Sequence, residues 1–162
     1  RHEAPGAARG TAMPIMIRPL ERADRARWEE LFLAYGVFYK LTLPKDVLDA
    51  VWGWIHGGRE PFWCDCAIDG AGEIVGIAQY QSMHRSLGGG MTCYLSDLYV
   101  EPKCRGAGVG RALIAHVLEV AAKKGYPGVR WLTQDFNYRG RMLYDTFAPK
   151  TDFILYNVPT KK

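Results

Sequence analysis

Three glycines at every second position, Gly106, Gly108 and Gly110, follow Arg105 and lead into a stretch whose apolar residues recur every three and four positions. The first four N–H groups of a helix have no partner inside it and lie at the positive end of its dipole. A helix starting here is therefore an anion site, and phosphate is a natural guest. Glycine lets that guest approach the backbone without meeting a side chain, and Arg105 adds charge at the rim. The predicted chemistry is capture of a diphosphate. A Walker loop needs Gly-Lys-Ser/Thr where this chain has Gly110-Arg111-Ala112. A dinucleotide fingerprint opens the first βαβ unit of a parallel sheet, and this motif comes late, after strands joined by tight turns. Neither nucleotide reading fits.

The elements that must position this loop follow from periodicity and breakers. Met16 to Pro19 is a short strand. Between Glu21 and Lys40 the apolar residues Trp28, Leu31, Phe32, Tyr35 and Phe38 mark an amphipathic helix. Pro44 opens a second helix with the stripe Val47, Leu48, Val51, Trp54 and Ile55, and Gly57-Gly58 ends it. Three strands follow, Phe62–Ile68, Glu73–Met83 and Met91–Val100, separated by the turns Asp69-Gly70 and Leu87 to Gly90. The helix after the glycines, from about Gly108 to Lys124, carries Leu113, Ile114, Val117, Leu118, Ala121 and Ala122 and stops at Gly125. Val129 to Thr133 is a strand. Asn137 to Phe147 is a short helix with Asn137 as its N-cap, and Phe153 to Val158 is a last strand, with one more short strand allowed near Pro149–Thr151. The order is β-α-α-β-β-β-α-β-α-β.

Composition narrows the functional classes. The 162 residues, 48% hydrophobic, fit one globular domain. Residues 1–12 lack periodicity and read as a disordered leader or tag remnant, with a single domain over 13–160 and Met13 or Met16 as its start. The net charge of +4 is concentrated in that leader and in Lys161 and Lys162, leaving about +1 on the body. A nucleic-acid partner, which needs a clustered basic face, is not expected. No apolar run reaches the roughly 18 residues of a membrane span, so no membrane partner is expected. Cys64 and Cys66 lie two apart on one strand face, but no second pair or His pair completes a zinc site. We expect no metal, and reduced, mostly buried thiols in a cytoplasmic protein.

The motifs together resemble the GNAT superfamily of acetyl-CoA-dependent N-acetyltransferases. Arg105-Gly106-Ala107-Gly108-Val109-Gly110 matches its R/Q-x-x-G-x-G/A signature. Leu98-Tyr99-Val100-Glu101-Pro102 matches its hydrophobic-Val-x-Pro strand, and Asn137 with Leu143-Tyr144 matches its N-x(5)-L-Y helix. Trp28, Tyr35, Phe38 and Tyr39, with Ser96-Asp97-Leu98-Tyr99-Val100, are similar to the branch of yeast histone, polyamine and D-amino-acid acetyltransferases and diamine acetyltransferases. The resemblance implies an α+β fold: a mostly antiparallel twisted sheet of six to seven strands, flanked by four helices, with a V-shaped splay between two central strands.

It also implies site roles. The backbone of Leu98, Tyr99 and Val100 would pair with the pantetheine arm of acetyl-CoA, much as an added strand. Arg105, Gly106, Ala107, Gly108, Val109 and Gly110, with Arg111, would hold the pyrophosphate. Asn137 would reach the pantetheine, cap its helix, or do both. Tyr144 stands where the family keeps its general acid, which also holds the cofactor end, though its place on the last helix's stripe equally suits a core aromatic. Asp97 is the best-placed carboxylate for a base or for binding the substrate ammonium. Simple alternation puts it on one sheet face and Ser96 and Leu98 on the other. The diamine relatives have glutamate at the position of Ser96, so a water chain to Asp97, His84 or Glu101 is an equal route for the proton. Phe38 and Tyr39, with Asp97 and His84, are the expected acceptor-binding residues, and Tyr35 is as readily core. Phe147-Ala148-Pro149 departs from the family's Gly-Phe, so the last strands could enter differently or exchange between subunits. The implied activity is acetyl transfer from acetyl-CoA to a small amine, polyamine or amino acid by direct attack in a ternary complex, in a homodimer or higher homo-oligomer. The competing readings are a protein lysine or N-terminal acetyltransferase and a non-catalytic CoA-binding sensor.

Overall fold

The computed structural model describes residues 14–161, so the expected leader lies outside the described residues. The chain divides into two units, one ending at Trp131 and one running from Leu132.

The first unit is built on a five-stranded sheet in the order β1-β2-β3-β4-β5. Its strands are β1 (Met16–Pro19), β2 (Phe62–Ile68), β3 (Ile74–Arg85), β4 (Gly90–Val100) and β5 (Val129–Arg130). The first four are antiparallel neighbours, and turns the sequence marks with Asp69, Gly72 and Gly89 join the second to the third and the third to the fourth. The fifth runs parallel to β4. A parallel neighbour requires a crossover connection, supplied here by helix α3 (Val109–Lys123).

Helices α1 (Arg25–Phe38) and α2 (Lys45–His56) cover one sheet face. Trp28, Leu31 and Phe32 of α1 and Leu48 and Val51 of α2 are buried against Phe62, Cys64, Cys66, Ile68, Ile74 and Ile77. Cys64 and Cys66 share that face as their spacing predicts, and burial pushes the Cys66 thiol up to about 11. On the other face α3 buries Val109, Leu113, Ile114, Val117 and Ala121. Gly76 of β3 allows its close approach, because a Cβ there would lie 3.1 Å from Leu113 Cδ1 and 3.2 Å from Val109 Cγ1.

Two irregularities matter for function. First, Gln79 pairs with Asp97 and Tyr80 with Leu95, so Ser96 is an extra residue, a β-bulge in β4. Second, β5 pairs only with Cys93 and Tyr94. Beyond them β5 ends, and no strand pairs with the Leu95–Val100 edge among the described residues. This unpaired edge is where the expected splay would lie, beside the last strand of the sheet and not between two central ones.

The second unit holds helix α4 (Tyr138–Tyr144) and an extended tail. Here the expectation of six to seven strands is corrected. Five form, β5 stops at Arg130 instead of Thr133, and neither residues 149–151 nor Phe153–Val158 form a strand. Phe153, Ile154, Leu155, Tyr156 and Val158 are strand formers, yet they are 72–93% exposed. A strand exists only when another edge takes its N–H and C=O groups, and propensity alone supplies no such edge.

Candidate active site

The loop between β4 and α3 has the backbone its sequence requires. Gly106 has φ +85° and Gly108 φ +83°, a region side-chain-bearing residues rarely enter. A Cβ at either would meet no heavy atom within 4 Å, so the loop presents an open face of main chain. Gly108 is the N-cap of α3, and no side chain caps the N–H groups of that first turn. Arg105 is strapped down: its Nε donates to Val100 O at 3.0 Å, and its guanidinium lies over the Tyr99 ring at 5.4 Å. Uncapped N–H groups, left-handed glycines and a fixed cation at the rim fit a diphosphate. Ala107, Val109, Gly110 and Arg111 complete the segment; Val109 anchors it by burying its side chain under α3.

Upstream, Leu98, Tyr99 and Val100 pair with Ala78, Ile77 and Gly76 on one edge, while their other edge faces the splay. An extended arm of amide groups can add to such an edge as a strand does.

Asp97 lies at the bulge, half-buried, and facing α1. Gln79 Nε2 donates to its Oδ2 at 2.8 Å, and the Tyr35 hydroxyl, 3.5 Å from Ser96 O, lies close enough to favour the charged carboxylate as well. Burial pushes the Asp97 carboxyl above the usual range, and these two donors oppose that rise. No cation is among the groups acting on it. The same burial, with the Asp97 charge beside it, holds the Tyr35 hydroxyl protonated far above the normal phenol range. Tyr39 packs edge-on to Tyr35 with ring centroids 5.0 Å apart, Tyr99 lies 6.2 Å from Tyr35, and Phe38 stands 5.1 Å from Tyr39. Tyr94 also feels the Asp97 charge, though burial is the larger cause of its raised pKa.

The bulge overturns the alternation read from sequence. Gln81 Nε2 donates to Ser96 Oγ at 3.0 Å, and Gln81 shares a strand face with Gln79. Ser96 and Asp97 therefore present their polar groups to the same side, because the inserted residue breaks the two-residue period.

Other candidates lie apart. His84 is exposed near the end of β3 and pairs with Met91, five residues along the strand from Gln79. At roughly 3.4 Å per residue that is about 17 Å from the Asp97 pairing. Glu101 is held by Arg27 at 2.6 Å. His116 is engaged with buried Asp65 at 2.8 Å, which also accepts from the Tyr80 hydroxyl.

Within the second unit Asn137 caps α4, its Oδ1 accepting from Gly140 N at 3.2 Å while its Nδ2 donates to Thr133 Oγ1 at 2.9 Å. Gly140 makes room, since a Cβ there would lie 2.5 Å from Asn137 Nδ2. Tyr144 closes the same helix, seven residues or about two turns further on, so both lie on one side of it. Gln79, Gln81 and Gly76 had no signal in the sequence, and Trp28 signalled only a buried helix stripe and a family likeness, not a partner for Gln79. Glutamine in a strand is unremarkable until its partners are known, and those lie 15 to 51 residues away.

Residues 25–147 match the model of the "Acetyltransferase (GNAT) family". The chain is 33% identical over 143 residues to a D-amino-acid N-acetyltransferase of Saccharomyces cerevisiae, covering 88% of this chain and 89% of that protein. It is 39% identical over 138 residues to a thialysine N-epsilon-acetyltransferase of Bos taurus, covering 80% and 81%. Among solved structures, the fold is similar to a ribosomal-protein-alanine N-acetyltransferase from Brucella melitensis biovar Abortus 2308, with a TM-score of 0.75, 19% identity and coverage of 91% and 99%.

Proposed function

The chain belongs to the acetyltransferase (GNAT) family, and on that premise we propose how its own residues carry out acetyl transfer to a small primary amine. As a member it is an acyltransferase that uses acetyl-CoA to acetylate an amine nitrogen. The cosubstrate supplies an acetyl group already activated as a thioester. The Gly106–Gly110 backbone, with Arg105 and Arg111, holds the diphosphate, and the free β4 edge at Leu98–Val100 aligns the arm. Asp97 attracts the acceptor's ammonium between Tyr35, Tyr39 and Phe38, where aromatic faces add cation–π attraction. The ammonium proton leaves through Asp97 or a water beside it, and the neutral nitrogen then attacks within a ternary complex. A backbone N–H of β4 near Leu98–Val100 steadies the developing oxyanion. The Tyr144 hydroxyl protonates the departing sulfur, and Asn137 orders the helix that carries it.

The observation that carries this reading is Asp97: a half-buried carboxylate that accepts from Gln79, has the Tyr35 hydroxyl beside it, and has no cation acting on it among the described residues. Such a charge lacks a counter-ion until a cationic ligand arrives. The likeness to a D-amino-acid N-acetyltransferase and a thialysine N-epsilon-acetyltransferase supports a small amine as the acceptor. We place the enzyme in the cytoplasm, a reading supported by its free, mostly buried thiols. We also infer a homo-oligomer, supported by the exposed apolar residues 153–158.

The test is release of CoA thiol with D-amino acids, thialysine, a polyamine and a lysine-bearing peptide. Preference for the free amines, lost in Asp97→Asn, supports the proposal. Preference for the peptide makes the chain a protein acetyltransferase. Binding without turnover of any acceptor makes it a sensor.

A further inference from the structure

Gln79 is completely buried in the middle of β3, between two groups that leave its amide one orientation. The Trp28 indole nitrogen lies 2.7 Å from Oε1, and Nε2 lies 2.8 Å from Asp97 Oδ2. An indole N–H can only donate, and a carboxylate can only accept. The amide must therefore turn its oxygen to Trp28 and its NH2 to Asp97. We propose that Trp28 and Gln79 are positioning residues for the acceptor site: the indole N–H selects the amide orientation that offers Asp97 a donor, fixing the carboxylate and favouring its charged form. This rests on the reading of Asp97 as the acceptor-binding carboxylate.

The chemistry explains why this is an amide and not a cation. An Arg or Lys at position 79 would neutralise Asp97 and compete with the incoming ammonium. A leucine would leave a half-buried carboxylate short of a donor. A glutamine without the indole could turn its oxygen towards Asp97, where it would repel a carboxylate and suit only a carboxylic acid. Trp28 is itself fully buried and packed on Phe32 and Trp52 at 5.3 and 5.1 Å. The orientation is thus anchored in the α1 core and delivered to the site through one side chain. The other titratable groups acting with Asp97 are Tyr35 from α1, whose hydroxyl lies beside it, Tyr94 from β4 and the buried Cys64 thiol from β2. None is a cation, so Gln79 and Tyr35 are the groups that favour the charged form. Burial alone pushes the carboxyl up.

The experiment is the pH profile of kcat/KM for thialysine and for a D-amino acid in Trp28→Phe, Gln79→Leu, the double variant and Asp97→Asn. Acetyl-CoA affinity and thermal unfolding are measured in parallel. Trp28→Phe keeps an aromatic ring and removes the N–H; Gln79→Leu removes the amide at similar volume, so one variant serves if the other fails to fold. In both, the acid limb of the profile should move to higher pH, with a loss of about tenfold near pH 6 that shrinks to within about threefold near pH 9. The double variant should lose no more than Gln79→Leu alone, because the two residues act in series. A loss independent of pH, or two losses that multiply, overturns the proposal and leaves both residues as core packing. If Asp97→Asn retains full activity, the acceptor-site reading itself fails. If Asp97→Asn is inactive while the Trp28 and Gln79 profiles are unmoved, only the positioning role fails.

Discussion

The two halves of the proposed site would hold opposite charges by opposite means. At the start of α3 the main chain gathers uncapped N–H groups for an anion. At the β4 bulge a side-chain carboxylate waits for a cation, held by Gln79 and Tyr35. In the proposed reading each region offers a charge that no opposite charge among the described residues offsets, which is how a binding site stores affinity for a charged guest. They differ in where the instructions lie. The cradle is written within Arg105–Gly110, because backbone conformation and open space follow from glycine itself. The carboxylate's setting is assembled from residues 28, 35, 79, 81 and 96, which only the folded sheet brings together.

That contrast predicts a graded set of failures. The largest is Gly108→Glu. The left-handed conformation costs a side-chain-bearing residue about 1–2 kcal/mol, and the carboxylate would occupy the phosphate's place. Calorimetric titration should show acetyl-CoA affinity falling by at least about a hundredfold, some 2.7 kcal/mol, with the fold retained. Unchanged affinity would remove the cradle from the comparison. Asp97→Asn should lower kcat/KM for cationic amines by about tenfold to a hundredfold while acetyl-CoA affinity stays within about threefold, separating the two halves. Tyr144→Phe should lower turnover at least about tenfold with little change in acetyl-CoA affinity. A change within about threefold, under roughly 0.7 kcal/mol of barrier, would exclude Tyr144 as the acid.

A subtler effect concerns stability. The folded pKa of Asp97 is raised above its unfolded value, so ionising it penalises the folded state. The penalty is absent below the unfolded pKa of 3.8 and grows as pH rises through the folded value. Asp97→Asn should therefore melt higher than the parent near pH 7, and the gap should close as pH falls towards 3.8. A gap that widens on acidification would contradict the burial argument. The smallest effect is Asn137→Ala, which removes a helix cap worth about 1 kcal/mol and should appear as a small drop in melting temperature.

Most of the scaffold was legible because its signals are local. The stripe Leu113, Ile114, Val117 and Ala121 fixes the buried face of α3, and Gly57, Gly89 and Gly125 mark ends and turns where the structure has them. Asn137 reads correctly as a cap because the cap is a contact three residues long. Two things were not legible. The run Phe153–Val158 has the composition of a strand, but whether it becomes one depends on an edge that composition cannot name. The alternation around Asp97 fails because a bulge is a property of two strands at once: nothing in Leu95-Ser96-Asp97 says that β3 will skip a residue there.

That skipped residue has an evolutionary corollary. Ser96 is supernumerary in the ladder, so the pairings on either side of it, Tyr80 with Leu95 and Gln79 with Asp97, do not depend on what occupies it. Its hydroxyl, which accepts from Gln81, nevertheless shares a face with Asp97, the proposed acceptor carboxylate. A single codon can thus drift without unsettling the frame, and saturation of that one position would sample new nucleophile preferences on an unaltered chassis.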